Sequence, residues 1–194
     1  MGASQHTIRT ATIISRVFEP MIVLVVVSTV AGVHAGLSGS FLWFYLLVLV
    51  GLLVAPVAVF RYWLVRSGTV KDWDMHTRRE RIKPLLLLLL FVGIFTGIIA
   101  GFHNAELNWV FMTFFIWLVG FFFITLVWKI SGHASISAFA SGLLVLWYGP
   151  GWWPILLIVP LVGWSRVVRR DHTVLQVIAG AIYSWGVLQL VKLV

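Results

Sequence analysis

Ser165–Gln176 reads S-R-V-V-R-R-D-H-T-V-L-Q and lies between two strongly apolar segments. The stretch sets Ser165 and Arg166 at the end of one membrane helix and His172 at the start of the next. A helix N-terminus disfavours the imidazolium and attracts anions, so a neutral His172 is expected there. A neutral imidazole beside Arg166, Arg169 and Arg170 is suited to attack on a bound phosphate. Lys129–Ser135, K-I-S-G-H-A-S, sets a second histidine, His133, at another such junction. Two histidines in two loops between membrane segments point to phosphoryl transfer through a phosphohistidine, with no metal and no cofactor.

The rest of the chain supplies the solvent for that chemistry. Of its 194 residues, 61% are hydrophobic and only 10% are charged. A soluble domain of this size cannot hide so much apolar surface, so lipid is expected to surround it. The reading is an all-α, polytopic transmembrane bundle. The absence of cysteine excludes disulfides and thiolate metal sites. The net charge of +8 sits in short loops between apolar runs, so membrane lipids and a lipid phosphate substrate are the expected partners, and nucleic acid is not. Nothing in the composition speaks to an oligomeric state.

About seven spans are expected, or six if the two short ones are miscounted. They run from about Val17 to Ala35, Ser40 to Phe60, Leu85 to Phe102, Leu107 to Trp128, Ala134 to Tyr148, Trp153 to Val168 and His172 to Leu193. Residues 1–16 read as a tail or interfacial helix. The organisation is then 1–60, a tail and two spans; 61–84, a basic loop; and 85–194, a transmembrane core. With seven spans, only Lys192 among the lysines and arginines falls on the face away from the two motifs. The positive-inside rule then makes the motif face cytoplasmic, in the cell membrane of a prokaryote. Asp72 and Asp74 read as loop residues, since a metal site would need more clustered ligands. His6, His34, His76 and His103 are given no role, and Asp171 reads as a helix cap.

S-G-H at Ser131–His133, followed by S-R-x5-H at Ser165–His172, resembles two signatures of the type-2 phosphatidic acid phosphatase superfamily. Those membrane enzymes share a helical core with vanadium haloperoxidases. Lys71 and Arg78, in K-D-W-D-M-H-T-R, match the spacing of the family's K-x6-R-P signature, with Arg79 in place of its proline. Ile130 replaces the proline before S-G-H. Gln176 stands where the third signature has aspartate. The resemblance covers about Lys71 to the C-terminus. It implies that His172 attacks phosphorus and that His133 protonates the leaving alcohol and later activates water. It also implies that Lys71, Arg78, Ser131, Gly132 and Arg166 hold the phosphoryl oxygens. Gln176 would keep the tautomer of His172 through an Nδ1–H hydrogen bond, without the charge an aspartate supplies. The implied activity is hydrolysis of a lipid phosphate monoester or pyrophosphate. The alternatives are a phosphotransferase on the same fold, or a non-catalytic lipid-phosphate binder or transporter.

Overall fold

The computed structural model describes residues 4–71, 73–75 and 77–192, and those residues are overwhelmingly helical, with no strand among them. Asp72 and His76, and Leu193 at the expected end of the last span, lie outside the described residues.

Nine α-helices follow in order among the described residues: α1 Gln5–Val17, α2 Pro20–His34, α3 Gly39–Val48, α4 Ala55–Arg66, α5 Arg78–Ala100, α6 Ala105–Val127, α7 Gly132–Tyr148, α8 Ile158–Val168 and α9 Val174–Lys192. Each boundary has a local cause. Ser4 caps α1 by accepting from the Thr7 amide at 3.2 Å. Phe18 and Glu19 break the chain before Pro20, which suits the first turn of α2 because its missing N–H has no partner to lose there. Leu49–Val54 between α3 and α4 is a π-helical stretch. Pro56 explains it: proline offers no N–H and its ring crowds the carbonyl four residues back, so the turn ahead of it widens. The helix continues without a break from Gly39 to Arg66.

The basic stretch 61–84 is therefore mostly helical. Arg61 and Arg66 end α4, while Arg79, Arg81 and Lys83 sit in the first turns of α5, leaving only 67–77 as the connection. Thr77 and Glu80 form a reciprocal capping box that fixes where α5 begins.

Among the described residues, five helices are long and apolar enough to cross a bilayer: Gly39–Arg66, Arg78–Ala100, Ala105–Val127, Pro150–Val168 and Val174–Lys192. The pair α1 and α2, bent by 42° at its break, makes a sixth if counted as one span. Six is the lower of the two expected counts. Helix α7, expected as a further span, has 17 residues, of which Ala134–Leu143 are buried. At about the minimum length for crossing a bilayer, it is an interior helix rather than one facing lipid.

The chain folds as two compact units, 1–27 with 130–194, and 28–129. In the second unit α5 and α6 form an antiparallel hairpin packed through aromatic rings. Phe95 and Phe111 meet edge-on at 4.8 Å between centroids, and Tyr45 of α3 leans on both. The first unit is built on α7, α8 and α9. A Cβ on Gly180 of α9 would lie 2.5 Å from Ser135 Oγ and 3.0 Å from the Ser131 carbonyl. One on Gly142 of α7 would lie 2.6 Å from Leu188. The start of α7 thus lies against the start of α9, and their later turns meet in the same order, so the two run parallel. Helices approach this closely in a membrane protein only where small residues leave room. Gly163 of α8 meets Val177 in the same way. The N-termini of α7 and α9 and the C-terminus of α8 therefore share one end of the unit.

Candidate functional site

That shared end is where the two quoted stretches fold. Ser131 is the N-cap of α7, its hydroxyl accepting from the Ala134 amide at 3.3 Å, so Gly132 and His133 form the first helical turn. The Ser131 N–H donates to the Gln176 carbonyl at 3.1 Å, which ties the S-G-H turn to α9.

Helix α8 ends in a Schellman motif. The Arg170 amide donates to Val167 and the Asp171 amide to Arg166, with Arg170 left-handed at φ 59°. This reversal swings Asp171 back over the helix it has just left. Its carboxylate Oδ2 meets Arg166 Nη2 and Arg169 Nε, each at 3.1 Å. Asp171, expected as a cap, is instead the counter-ion of two arginines. Arg166 is only 1% exposed and also donates from Nη1 to Ser15 Oγ of α1. Burial of a guanidinium is costly unless it is paired in this way.

The cap of α9 is Thr173. Its hydroxyl accepts from the Gln176 amide at 3.3 Å while Gln176 Oε1 accepts from the Thr173 amide at 3.2 Å, a reciprocal capping box. His172 therefore precedes the helix rather than sharing a face of it with Gln176. The contact forms all the same, across the cap: His172 Nδ1 lies 3.0 Å from Gln176 Oε1. The Thr173 N–H identifies the atom facing it as the amide oxygen. That oxygen can only accept, so Nδ1 carries the proton and the lone pair is on Nε2. His172 is 5% exposed.

Ser131, Gly132, Arg166, His172 and Gln176 thus lie at one end of the first unit, with His133 next to Gly132 and half-buried. The arrangement offers two helix N-termini, a buried guanidinium and an imidazole of fixed tautomer, a combination suited to an anion. Lys71 and Arg78 belong to the second unit. Lys71 is exposed in the connection, and Arg78 Nη1 donates to the Leu126 carbonyl at 2.6 Å, satisfying the end of α6. Two residues of this region escaped the sequence reading and one was misread. Thr173 was legible as T-x-x-Q; Ser15 and the true role of Asp171 were not, because their partners depend on a contact 151 residues apart and on a chain reversal.

The PAP2 superfamily model matches residues 128–194. The lipid A 4'-phosphatase of Helicobacter pylori (strain J99 / ATCC 700824) is 41% identical over 59 residues, which is 29% of this chain and 29% of that protein. The chain therefore aligns with less than a third of that relative's length. No solved structure matches the chain. The segment 128–194, which carries the S-G-H turn, Arg166, His172 and Gln176, is thus similar to the PAP2 superfamily.

Proposed function

We propose that this integral membrane protein is a lipid phosphatase that hydrolyses a lipid phosphate monoester or pyrophosphate through a phosphohistidine on His172, without a metal. The observation that carries the reading is the 3.0 Å contact of His172 Nδ1 with Gln176 Oε1, which leaves Nε2 as the nucleophile, in the unit that also buries Arg166.

In the first step Nε2 attacks phosphorus and the bond to the ester oxygen breaks. His133 gives its proton to the departing alkoxide. In the second step His133 takes a proton from water, the water oxygen attacks phosphorus, and the P–N bond breaks to release inorganic phosphate. Arg166, the Gly132 amide and the Ser131 hydroxyl stabilise the equatorial oxygens. The hydrophobic tail stays in the bilayer while the headgroup reaches the site. A cytoplasmic motif face favours inner-leaflet substrates such as phosphatidic acid or phosphatidylglycerophosphate, and the named relative adds lipid A to the candidates.

The test is phosphate release by purified protein in detergent with EDTA, over these lipids and a polyprenyl pyrophosphate, beside His172→Ala. Release that survives the chelator and vanishes in the variant is the expected result. Release that depends on added metal, or that persists in His172→Ala, overturns the mechanism. Binding of vanadate without release from any lipid would favour the non-catalytic reading. Transfer to an added alcohol in preference to water would favour the phosphotransferase.

Gln176 sharpens the proposal. Gln176→Glu keeps the reach to both Nδ1 and the Thr173 amide and adds the negative charge that stabilises a developing imidazolium, so turnover should rise. Gln176→Leu removes the acceptor and should lower turnover by about 10²–10⁴-fold, the usual range for a displaced acid–base group.

A further inference from the structure

Arg166 is held from two places far apart in the chain. Asp171, five residues on, meets Nη2 at 3.1 Å. Ser15 on the N-terminal helix receives the hydrogen bond from Nη1. Helix α1 packs along α8, and its buried face consists of its small residues Ala11 and Ser15, one turn apart, with Ser15 1% exposed. The two other hydroxyls described on that helix with carbonyl partners are satisfied locally, Thr10 by His6 and Thr12 by Ile8, and both bonds lie at the surface.

We propose that Ser15 is a positioning residue for Arg166, making α1 a working part of the phosphate site. This rests on the reading above of Arg166 as a phosphate ligand. A guanidinium anchored at one terminal nitrogen can still swing about that anchor. Anchored at both, with the partners on different elements, its plane is fixed, and the plane is what a bidentate guanidinium–phosphate contact requires. The choice of a hydroxyl is also electrostatically consistent. Asp171 is shared between Arg166 and Arg169, so this trio keeps one net positive charge for an anion. A second carboxylate at position 15 would accept the same hydrogen bond and cancel that charge. Serine orients the arginine and leaves the charge in place.

Ser15 lies outside the matched segment 128–194, so the family resemblance does not supply this role. It also changes the meaning of the N-terminal segment. A stretch read from its polarity as a tail or interfacial helix becomes the support of a residue 151 positions away.

The experiment is a titration of the full-length protein in detergent with orthovanadate and with inorganic phosphate, followed by tryptophan fluorescence. Melting temperature is recorded for every variant. Ser15→Ala keeps the small side chain that the packing needs and removes the acceptor. It should weaken both anions about tenfold, equivalent to about 1.4 kcal/mol, at a melting temperature close to wild type. Ser15→Thr should restore the affinity, and Thr10→Ala should leave it unchanged. With a lipid substrate, Ser15→Ala should raise KM more than it lowers kcat. If Ser15→Ala fails to fold, Ser15→Cys takes its place, since a thiol is a poor acceptor in a similar volume. Unchanged anion affinity in Ser15→Ala, with affinity lost in Arg166→Ala, overturns the role of Ser15 alone. Equal binding by wild type and Arg166→Ala overturns the phosphate-site reading itself, and the proposal with it.

Discussion

The two units bury different chemistry. In the first, Gly142 and Gly163 receive the side chains of Leu188 and Val177, Gly180 lets α9 approach the Ser131 backbone, and the unit buries Ser131, Ser165, Arg166, Asp171 and His172. In the second, the hairpin of α5 and α6 is filled by rings, with Phe114, Trp117 and Phe121 stacked along one helix face at 5.3 and 5.4 Å. Lipid tails compete well with a loosely packed apolar contact, so a membrane bundle is held by close packing or by internal hydrogen bonds. One unit relies on shape between large side chains. The other relies on proximity of main chains and on a paired charge, which makes it sensitive to single atoms.

The largest test of that difference is Asp171→Ala. It leaves Arg166 and Arg169 without the carboxylate both approach at 3.1 Å. Removing one partner of a buried ion pair costs about 3–5 kcal/mol, and unfolding in mixed detergent–SDS micelles should show that loss. A change under about 1 kcal/mol would mean that the pair behaves as a surface one and that the first unit does not depend on it.

Next comes Gly180→Ala. The added methyl would lie 3.0 Å from the Ser131 carbonyl, a backbone atom that cannot rotate away. Overpacking costs about 1–3 kcal/mol, and here the displaced group carries the N–H to Gln176 that ties the S-G-H turn to α9. Phosphate release should fall more steeply than stability. Stability lost without a loss of activity would separate this contact from the site.

Arg170→Gly should act in the opposite direction. Arg170 holds the left-handed position of the Schellman motif at φ 59°, where an L side chain is strained and glycine is not. Relief of that strain, less the greater freedom glycine has when unfolded, should leave a gain of about 1 kcal/mol. Activity should be little altered, since Arg170 is not among the residues that meet Asp171.

How much of this was legible beforehand follows the same division. The S-G-H turn and the S-R-x5-H stretch could be read because helix caps and short polar runs are local in sequence. The contact of His172 with Gln176 was foreseen from the resemblance; the pair meets across a capping box, and T-x-x-Q was there to be read. The π-helical stretch Leu49–Val54 has no signal in the sequence beyond Pro56 itself. The long polar run 61–84 looked like a loop because charged residues in the first turns of a helix and in a loop have the same composition; the capping box of Thr77 and Glu80 is the signal that divides them. The partner of Arg166 on α1 was out of reach. A serine in a polar N-terminal segment carries no mark that an arginine 151 residues away will meet it.

The smallest expected effect is the sharpest comparison, because it repeats the Gly180 substitution in the other unit. Gly97 lies in the last turn of α5, and a Cβ there would meet nothing within 4 Å. Alanine at that position fills no contact and creates no clash, so only the backbone term is left. Glycine inside a helix costs about 0.5–1 kcal/mol relative to alanine. Part of that cost in water comes from backbone exposure to solvent, a part that vanishes where lipid surrounds the helix. Gly97→Ala should therefore stabilise by about 0.5 kcal/mol, the low end of that range, with activity unchanged. Opposite signs for the same change at Gly97 and Gly180 would show that glycine serves close packing in the first unit and is merely tolerated in the second. A loss at Gly97 comparable to that at Gly180 would show instead that α5 also needs an unencumbered backbone, against a partner that the contacts of the second unit do not include.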